Sequence, residues 1–280
     1  MVRSILFGLA AGVAVALLTK LASLLGVSAG PAAVILALTM GLGLAHRWKT
    51  QHFRAMGEGF QQVSHKLGQL HDHVSEAQGL AQLTRFNDAY PLPFGGGWAL
   101  TADAAALLVR EIALNRPRTI VELGSGVSTQ LIGRMLKEAG EGKLYSLDHE
   151  AGWADQTRRH IQASGLGDYV EVLDAPLATQ QFNGQEYNWY RVPERVRQLE
   201  NIDLVIIDGP PQSLAPQGTP RYPALPAFIK QLSPRAMLYI DDAKRPQEQE
   251  TIAAWLREFP QFESRMHDTA PGTCIFRRKP

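Results

Sequence analysis

The chain of 280 residues contains a single cysteine, Cys274. One cysteine can form no internal disulfide and cannot build a cysteine-ligated zinc site, so disulfide scaffolds and cysteine-based zinc domains are excluded. The chain also lacks an excess of positive charge, because 28 Lys and Arg residues face 27 Asp and Glu residues, for a formal net charge of +1. Nucleic acid is therefore not expected as a partner.

Acidic residues are absent from residues 1–50, and the first of them is Glu58. Residues 4–19 and 21–45 form two uncharged, largely apolar runs, each close to the roughly 20 residues that a helix needs to cross a bilayer. We favour a transmembrane helical hairpin over residues 1–48, in contact with the lipid bilayer through residues 4–46. A cleaved signal peptide and a hairpin buried in the protein are the alternatives.

Basic residues follow the second apolar run, among them Arg47, Lys49 and Arg54. The positive-inside rule then places both ends of the hairpin, and the rest of the chain, on the cytoplasmic side, although Lys20 opposes this orientation. The sequence therefore predicts attachment to the cytoplasmic membrane with the larger part of the chain facing the cytoplasm.

Residues 49–85 show a different pattern and are predicted to form a helical stalk. Apolar residues recur at alternating spacings of three and four, namely at Phe53, Met56, Phe60, Val63, Leu67, Leu70, Val74, Ala77 and Ala81. This is the pattern of a coiled coil, and it favours a homo-oligomer through residues 53–81. The alternative is an amphipathic helix that packs on its own domain or lies on the membrane surface.

Residues 86–280 form the third predicted domain, which follows a Pro- and Gly-rich break at residues 90–98. Apolar strand patterns alternate with helical patterns, as is typical of a parallel sheet with helices on both faces. We expect a Rossmann-like α/β fold with a doubly wound, mostly parallel, seven-stranded sheet. The predicted strands are residues 119–123, 144–147, 169–173, 204–207, 237–240, 262–267 and 273–278.

In a sheet of this type, ligands bind at the carboxyl ends of the strands. The first strand ends at Glu122 and leads into Gly124 and Gly126, which permit a tight turn close to a ligand. A nicotinamide dinucleotide site needs a third glycine where this chain has Thr129, so an oxidoreductase is disfavoured. The second strand ends at Asp148, which is placed to accept hydrogen bonds from ribose hydroxyls.

Three further carboxylates end the fourth and fifth predicted strands: Asp208, Asp241 and Asp242. Charges at the ends of apolar strands are costly unless they meet a cation or hydrogen-bond donors. Carboxylate oxygens in this number suit Mg²⁺ or Mn²⁺.

The motifs VELGSG, DLVIIDGPP and YIDDA together resemble the class I S-adenosylmethionine-dependent methyltransferases over roughly residues 98–280. The segments PLPFGGGW, GSGVST and DDAKR are similar to bacterial methyltransferases of family 24. The resemblance implies S-adenosylmethionine as the cofactor. Because the similar methyltransferases are bacterial, the membrane predicted from residues 4–46 is taken to be the bacterial inner membrane. By position, the resemblance implies that the donor is bound by Glu122, Gly124, Ser125 and Gly126 at its methionine part, by Asp148 with His149 at its ribose, and by Asp174 at its adenine.

The strand-end acids are also similar to those of the catechol O-methyltransferase group, in which acids hold a divalent metal. That group carries a lysine where this chain has Pro211, so the general base stays open. One mechanism uses a metal on Asp208, Asp241 and Asp242, with Lys244 as a helper. The other uses Asp208 as the base without metal, while the two later acids cap helices or pair with Lys244 and Arg245.

The expected activity is O-methylation of a glycan, lipid-linked or small-molecule hydroxyl at the cytoplasmic face of the membrane. The alternative is a non-catalytic, membrane-tethered assembly or binding protein that keeps the domain without turnover. Residues 180–199 are predicted to form a lid over the acceptor, and Arg221 and Tyr222 are candidate substrate contacts. Trp153 is a candidate cover for the adenine, with an ordinary core tryptophan as the alternative.

Overall fold

A computed structural model describes residues 31–86, 92, 99–215 and 218–279, together with positions 13, 16, 17, 20, 23 and 24. The chain divides into two compact units, Met1–Leu70 and His71–Pro280. The boundaries predicted at residues 48 and 85 stay predictions. The Pro- and Gly-rich break at residues 90–98 lies outside the described residues, apart from Leu92.

The strands are β1 (Thr119–Leu123), β2 (Lys143–Asp148), β3 (Val170–Asp174), β4 (Leu177–Phe182), β5 (Gln185–Tyr190), β6 (Ile202–Ile207), β7 (Leu232–Ile240), β8 (Phe262–His267) and β9 (Thr273–Arg278). The helices are α1 (Pro31–Leu83), α2 (Ala102–Asn115), α3 (Val127–Ala139), α4 (Ala151–Ala163), α5 (Glu194–Arg197), α6 (Ala224–Phe228) and α7 (Pro246–Glu258).

Seven strands form one sheet in the order β3-β2-β1-β6-β7-β9-β8. The first five are parallel, and β9 pairs antiparallel with both β7 and β8. Residues along β6 alternate between the two faces, so that Leu204 packs with α2 and α3 on one side and Val205 packs with α6 and α7 on the other. The predicted Rossmann-like, mostly parallel sheet of seven strands is confirmed.

A two-stranded hairpin of β4 and β5 was not predicted, because residues 180–199 were interpreted only as an acceptor lid. Its turn consists of Asn183 and Gly184, with φ of 47° and 76°. An Asn-Gly pair with positive φ at both positions is typical of a tight hairpin turn and is a signal by which the hairpin could have been found. The hairpin ends at Trp189 and Tyr190, both fully buried against the sheet.

The stalk was predicted to be helical over residues 49–85. Helix α1 covers most of this range, but it begins at Pro31 and ends at Leu83. Within the larger unit, Gly79 of α1 lies against α2, where an added Cβ would lie 2.4 Å from Ala102 C. Among the described residues, no helix combines the length and the apolar character that a membrane span requires. The first apolar run, residues 4–19, lies outside the described residues except at positions 13, 16 and 17.

Candidate functional site

The loop after β1 brings the end of that strand next to the end of β6. Gly124 has φ of 101°, a conformation that favours glycine, and its amide donates to Leu147 O at 2.8 Å. A Cβ built on Gly124 would lie 3.4 Å from Gly209 N and 3.7 Å from Asp208 Cβ. The glycine loop and the Asp208 carboxylate therefore adjoin at the carboxyl edge of the sheet.

Asp148 ends β2 and holds this loop in place. Its Oδ2 accepts from Ser125 N at 3.0 Å and from Ser125 Oγ at 2.6 Å, while its Oδ1 accepts from Glu150 N at 3.0 Å. A carboxylate offers about four acceptor positions, so Asp148 keeps capacity for a further donor. His149 packs edge-on against Tyr190 at 6.1 Å between ring centroids.

Glu122 lies beneath the loop, with no exposed surface, so it supports the predicted donor site instead of contacting a donor. Its Oε2 accepts from Thr129 Oγ1 and from Ser146 Oγ, both at 2.6 Å, and burial raises the pKa of Glu122 to about 7. Thr129 Oγ1 in turn accepts from Gly126 N at 2.8 Å. The threonine that stands in place of a third glycine thus ties the loop to the strand.

Tyr190 is a site residue whose position the sequence did not reveal. Its hydroxyl is fully buried and has no hydrogen-bond partner. The hydroxyl lies against Gly209, because a Cβ added to Gly209 would be 2.1 Å from the hydroxyl oxygen. Burial raises the pKa of Tyr190 well above its usual value, and Asp148 and Asp208 add to this effect, so the phenol stays protonated. The Tyr190 hydroxyl is therefore a buried group beside Gly209 and, like Glu122, supports the site without facing a ligand.

The predicted adenine contacts lie at the surface. Asp174, the register partner of Asp148, forms an ion pair with Arg158 Nη2 at 2.6 Å. Trp153, in the first turn of α4, is half exposed and is not a core residue. Both side chains are therefore accessible, Asp174 at the end of β3 and Trp153 in α4.

The acids that follow β6 and β7 converge as predicted. Each of the three acids, Asp208, Asp241 and Asp242, contributes one carboxylate oxygen, and these three oxygens lie within 4.8 Å of one another. Asp242 has a left-handed backbone with φ of 58°, which Asp tolerates better than most residues, and this turn brings it beside Asp208. The exposed fraction of the Asp208 side chain is 28%, which leaves it open to an acceptor.

A buried arginine lies among these acids. Arg221 Nη2 is 3.0 Å from Asp242 Oδ2 and 3.8 Å from Asp208 Oδ1, and Arg221 Nη1 donates to Asp241 O at 3.0 Å. Its Nε is 3.6 Å from Oε1 of Glu248 in α7, a residue that the sequence did not single out. We call these five residues the Arg221 cluster: Asp208, Arg221, Asp241, Asp242 and Glu248.

The protonation of the cluster follows from burial and from neighbouring charge. Burial raises the pKa of Asp208 to about 6, against the opposing effect of Arg221. Burial also raises the pKa of Asp241 well above its usual value, and the charges of Asp208 and Asp242 add to the shift. Near neutral pH, Asp208 is therefore mainly a carboxylate, whereas Asp241 gains its proton at a higher pH than an exposed aspartate does.

Two sequence-based interpretations of residues around the cluster are corrected. Lys244 is not beside Asp208, because its Nζ donates to Thr269 O at 2.7 Å and pairs with Asp268 at 3.1 Å. Tyr222 is not a substrate contact, because it is buried and its hydroxyl donates to Glu258. Arg221 is not one either, since the exposed fraction of its side chain is only 2%.

The predicted Mg²⁺ or Mn²⁺ does not fit the Arg221 cluster. Asp242 Oδ2 is already held by two guanidinium groups, those of Arg221 at 3.0 Å and Arg245 at 2.8 Å. A dication among the acids would lie beside these positive groups, and at ~4 Å each guanidinium would cancel the attraction of one carboxylate, about 8 kcal/mol at an effective dielectric constant of ~20.

The sequence of the larger unit matches a known family. Residues 121–243 match the sequence model of family 24, described as a methyltransferase domain. These residues form a methyltransferase domain. The resemblance to class I S-adenosylmethionine-dependent methyltransferases, and the enzyme class that it implied, are thereby confirmed. No curated protein matches the chain in sequence.

Solved structures share the fold of this methyltransferase domain. The SAH-bound Podospora anserina methyltransferase PaMTH1 is 15% identical, with 74% of this chain and 88% of that chain covered and a TM-score of 0.50. A Geobacter sulfurreducens methyltransferase is 15% identical over 72% and 89% of the two chains, with a TM-score of 0.47. A Bacillus cereus O-methyltransferase in complex with SAH is 16% identical over 72% and 91%, with a TM-score of 0.48. At these identities the likeness concerns the fold alone.

Replacing Asp148 by Ala in the methyltransferase domain is expected to weaken donor binding by about 1–3 kcal/mol, or roughly 5- to 150-fold. The substitution removes an acceptor for the ribose and releases Ser125 from its two hydrogen bonds. Calorimetric titration with S-adenosylhomocysteine measures the change. Asp168→Ala, an exposed acid outside the site, is the matched control, and equal affinity of the two variants would refute the ribose assignment.

Proposed function

We propose that the protein is an S-adenosylmethionine-dependent O-methyltransferase whose general base is Asp208. The observation that carries the proposal is the contact between the glycine loop and the end of β6, where Gly124 and Asp208 adjoin. A methyl donor held over the loop at residues 124–126 has its reactive end beside a partly exposed carboxylate.

Different residues of the site are proposed to serve the methyl donor and the acceptor. S-adenosylmethionine, when bound, supplies an electrophilic methyl group. Asp148, with its remaining acceptor capacity, and the glycine loop, which permits a close approach, are placed to bind and orient the donor. Asp208 is placed to accept the proton of the acceptor hydroxyl, and its pKa of about 6 suits a base that works near neutral pH.

The acceptor is a hydroxyl of a glycan, a lipid-linked molecule or a small molecule. Carboxylates accept hydrogen bonds from hydroxyl groups, and Arg221 is occupied by the acids, so none of its charge faces an anionic group of an acceptor. The test is transfer of an isotopically labelled methyl group from the donor into lipid and aqueous cell extracts, followed by mass spectrometry. A product methylated on nitrogen, or donor binding without any labelled product, would contradict the proposal.

The chain is proposed to attach to the bacterial inner membrane through residues 4–46. The support is the pair of apolar runs in an N-terminal segment without acidic residues. The acceptor side then faces the cytoplasm, where the methyl donor is available.

Deletion of residues 1–48 is expected to move the protein from the membrane fraction to the soluble fraction with unchanged affinity for S-adenosylhomocysteine. The reason is that the proposed donor contacts all belong to the unit His71–Pro280. Sedimentation after lysis and calorimetry measure the two properties. The full chain is the control, and loss of donor binding by a folded truncation would show that the segment does more than attach the protein.

Self-association is proposed through the heptad positions of α1. Leu67 and Leu70 have exposed fractions of 61% and 58%, and both lie on the predicted seam. Replacing both by Gln is expected to abolish a discrete oligomer in detergent, measured by cross-linking and by light scattering. Gln61 and Gln69, exposed outside the seam, give the control double variant with Glu. An oligomer that survives the seam variant, or a monomeric full chain, would contradict this proposal.

A further inference from the structure

The Arg221 cluster contains a fourth carboxyl group in addition to the three at the ends of β6 and β7. Asp208, Asp241 and Asp242 come from the ends of β6 and β7, and Glu248 adds a fourth carboxyl group from α7. Glu248 has no exposed surface, and neither of its carboxyl oxygens has a hydrogen-bond partner. A buried carboxylate without hydrogen bonds needs a nearby positive charge.

Arg221 is the group that meets this need. Each of its three side-chain nitrogens lies near a different partner. Nη2 is next to Asp242 and Asp208, and Nη1 donates to the carbonyl of Asp241. Nε is next to Glu248. The planar guanidinium presents five donors in a fixed arrangement, which suits a cation that must serve several oxygens at once. Only 2% of its side chain is exposed, so water does not compete with the acids for the guanidinium.

We propose that Arg221 is the built-in cation of this site, taking the place that a divalent metal would occupy among Asp208, Asp241 and Asp242. The cluster of the unmodified protein therefore has no affinity for a dication, because Arg221 already supplies the positive charge beside Asp208 and Asp242. The proposal concerns the carboxylates alone and is independent of the proposed methyl transfer.

The first test is a titration of the metal-free full chain with Mn²⁺, in which the electron paramagnetic resonance signal measures the concentration of free Mn²⁺. The signal is expected to rise from the first addition, because no site competes for the ion. Uptake of a single Mn²⁺ per chain that disappears in Asp242→Asn would overturn the proposal.

The second test removes the built-in cation. Arg221→Met frees the acids and is expected to create a single Mn²⁺ site per chain, together with a rise in melting temperature on addition of Mn²⁺ that the unmodified protein does not show. Arg235→Met, which removes an exposed arginine that pairs with Asp203, is the control and gains no site. A folded Arg221→Met chain that takes up no Mn²⁺ would contradict the proposal. If this variant does not fold, the titration of the unmodified protein decides alone.

Discussion

Replacing Asp208 by Asn is expected to lower the rate of methyl transfer by about 10²- to 10⁴-fold, the range for loss of a general base. Asparagine keeps the shape of the side chain but cannot accept the proton of the acceptor hydroxyl. Donor affinity is expected to stay unchanged, because the proposed donor contacts come from the β1 loop and Asp148. Labelled methyl transfer into an extract in which the unmodified protein forms a product measures the rate.

Asp203→Asn is the matched control for this variant. Asp203 lies at the opposite end of the same strand, where it accepts from Arg118 N at 2.9 Å and Ser233 Oγ at 2.9 Å. Its loss affects stability and leaves the rate of transfer intact. An Asp208→Asn protein that transfers methyl groups at the unmodified rate would remove the general base from the proposed mechanism.

Replacing Arg221 by Met is expected to lower the free energy of unfolding by about 3–5 kcal/mol in the absence of added metal, as for a buried ion pair that loses one partner. The substitution leaves Asp208, Asp242 and Glu248 close together without their shared cation. Urea unfolding followed by circular dichroism measures the change.

The exposed Arg235 provides the comparison for this loss of stability. The exposed fraction of its side chain is 62%, and it pairs with Asp203 at 3.2 Å. Arg235→Met is expected to cost about 1 kcal/mol or less, because the exposed guanidinium is solvated and the buried Asp203 keeps its hydrogen bonds from Arg118 N and Ser233 Oγ. Equal stabilities of the two variants would show that Arg221 does not carry the charge balance of the cluster.

The parallel strands could be predicted largely because they are mainly apolar runs that end at or next to an acid or a glycine. Strand β1 at Thr119–Leu123 and the antiparallel pair β8 and β9 have the predicted bounds. The hairpin of β4 and β5 was missed because its residues are mainly polar, although Asn183 and Gly184 gave a local turn signal.

The site could be predicted where adjacent strands end, since the position of a strand end follows from the topology. This holds for Asp148 and Asp174, which are register partners, and for the convergence of Asp208 with Asp241. Burial of Arg221 could not be predicted, because it follows a polar, proline-containing loop that gives no periodicity. Lys244 was misplaced because the left-handed turn at Asp242 redirects the chain toward the loop between β8 and β9.

Calorimetric titration of the purified, chelator-treated protein with S-adenosylhomocysteine tests most directly whether the glycine loop and Asp148 form a methyl-donor site. We expect micromolar binding of a single molecule per chain without added metal, and a loss of affinity in Asp148→Ala. A folded protein that binds no S-adenosylhomocysteine, with or without Mg²⁺, would contradict the donor site and favour a non-catalytic assembly protein.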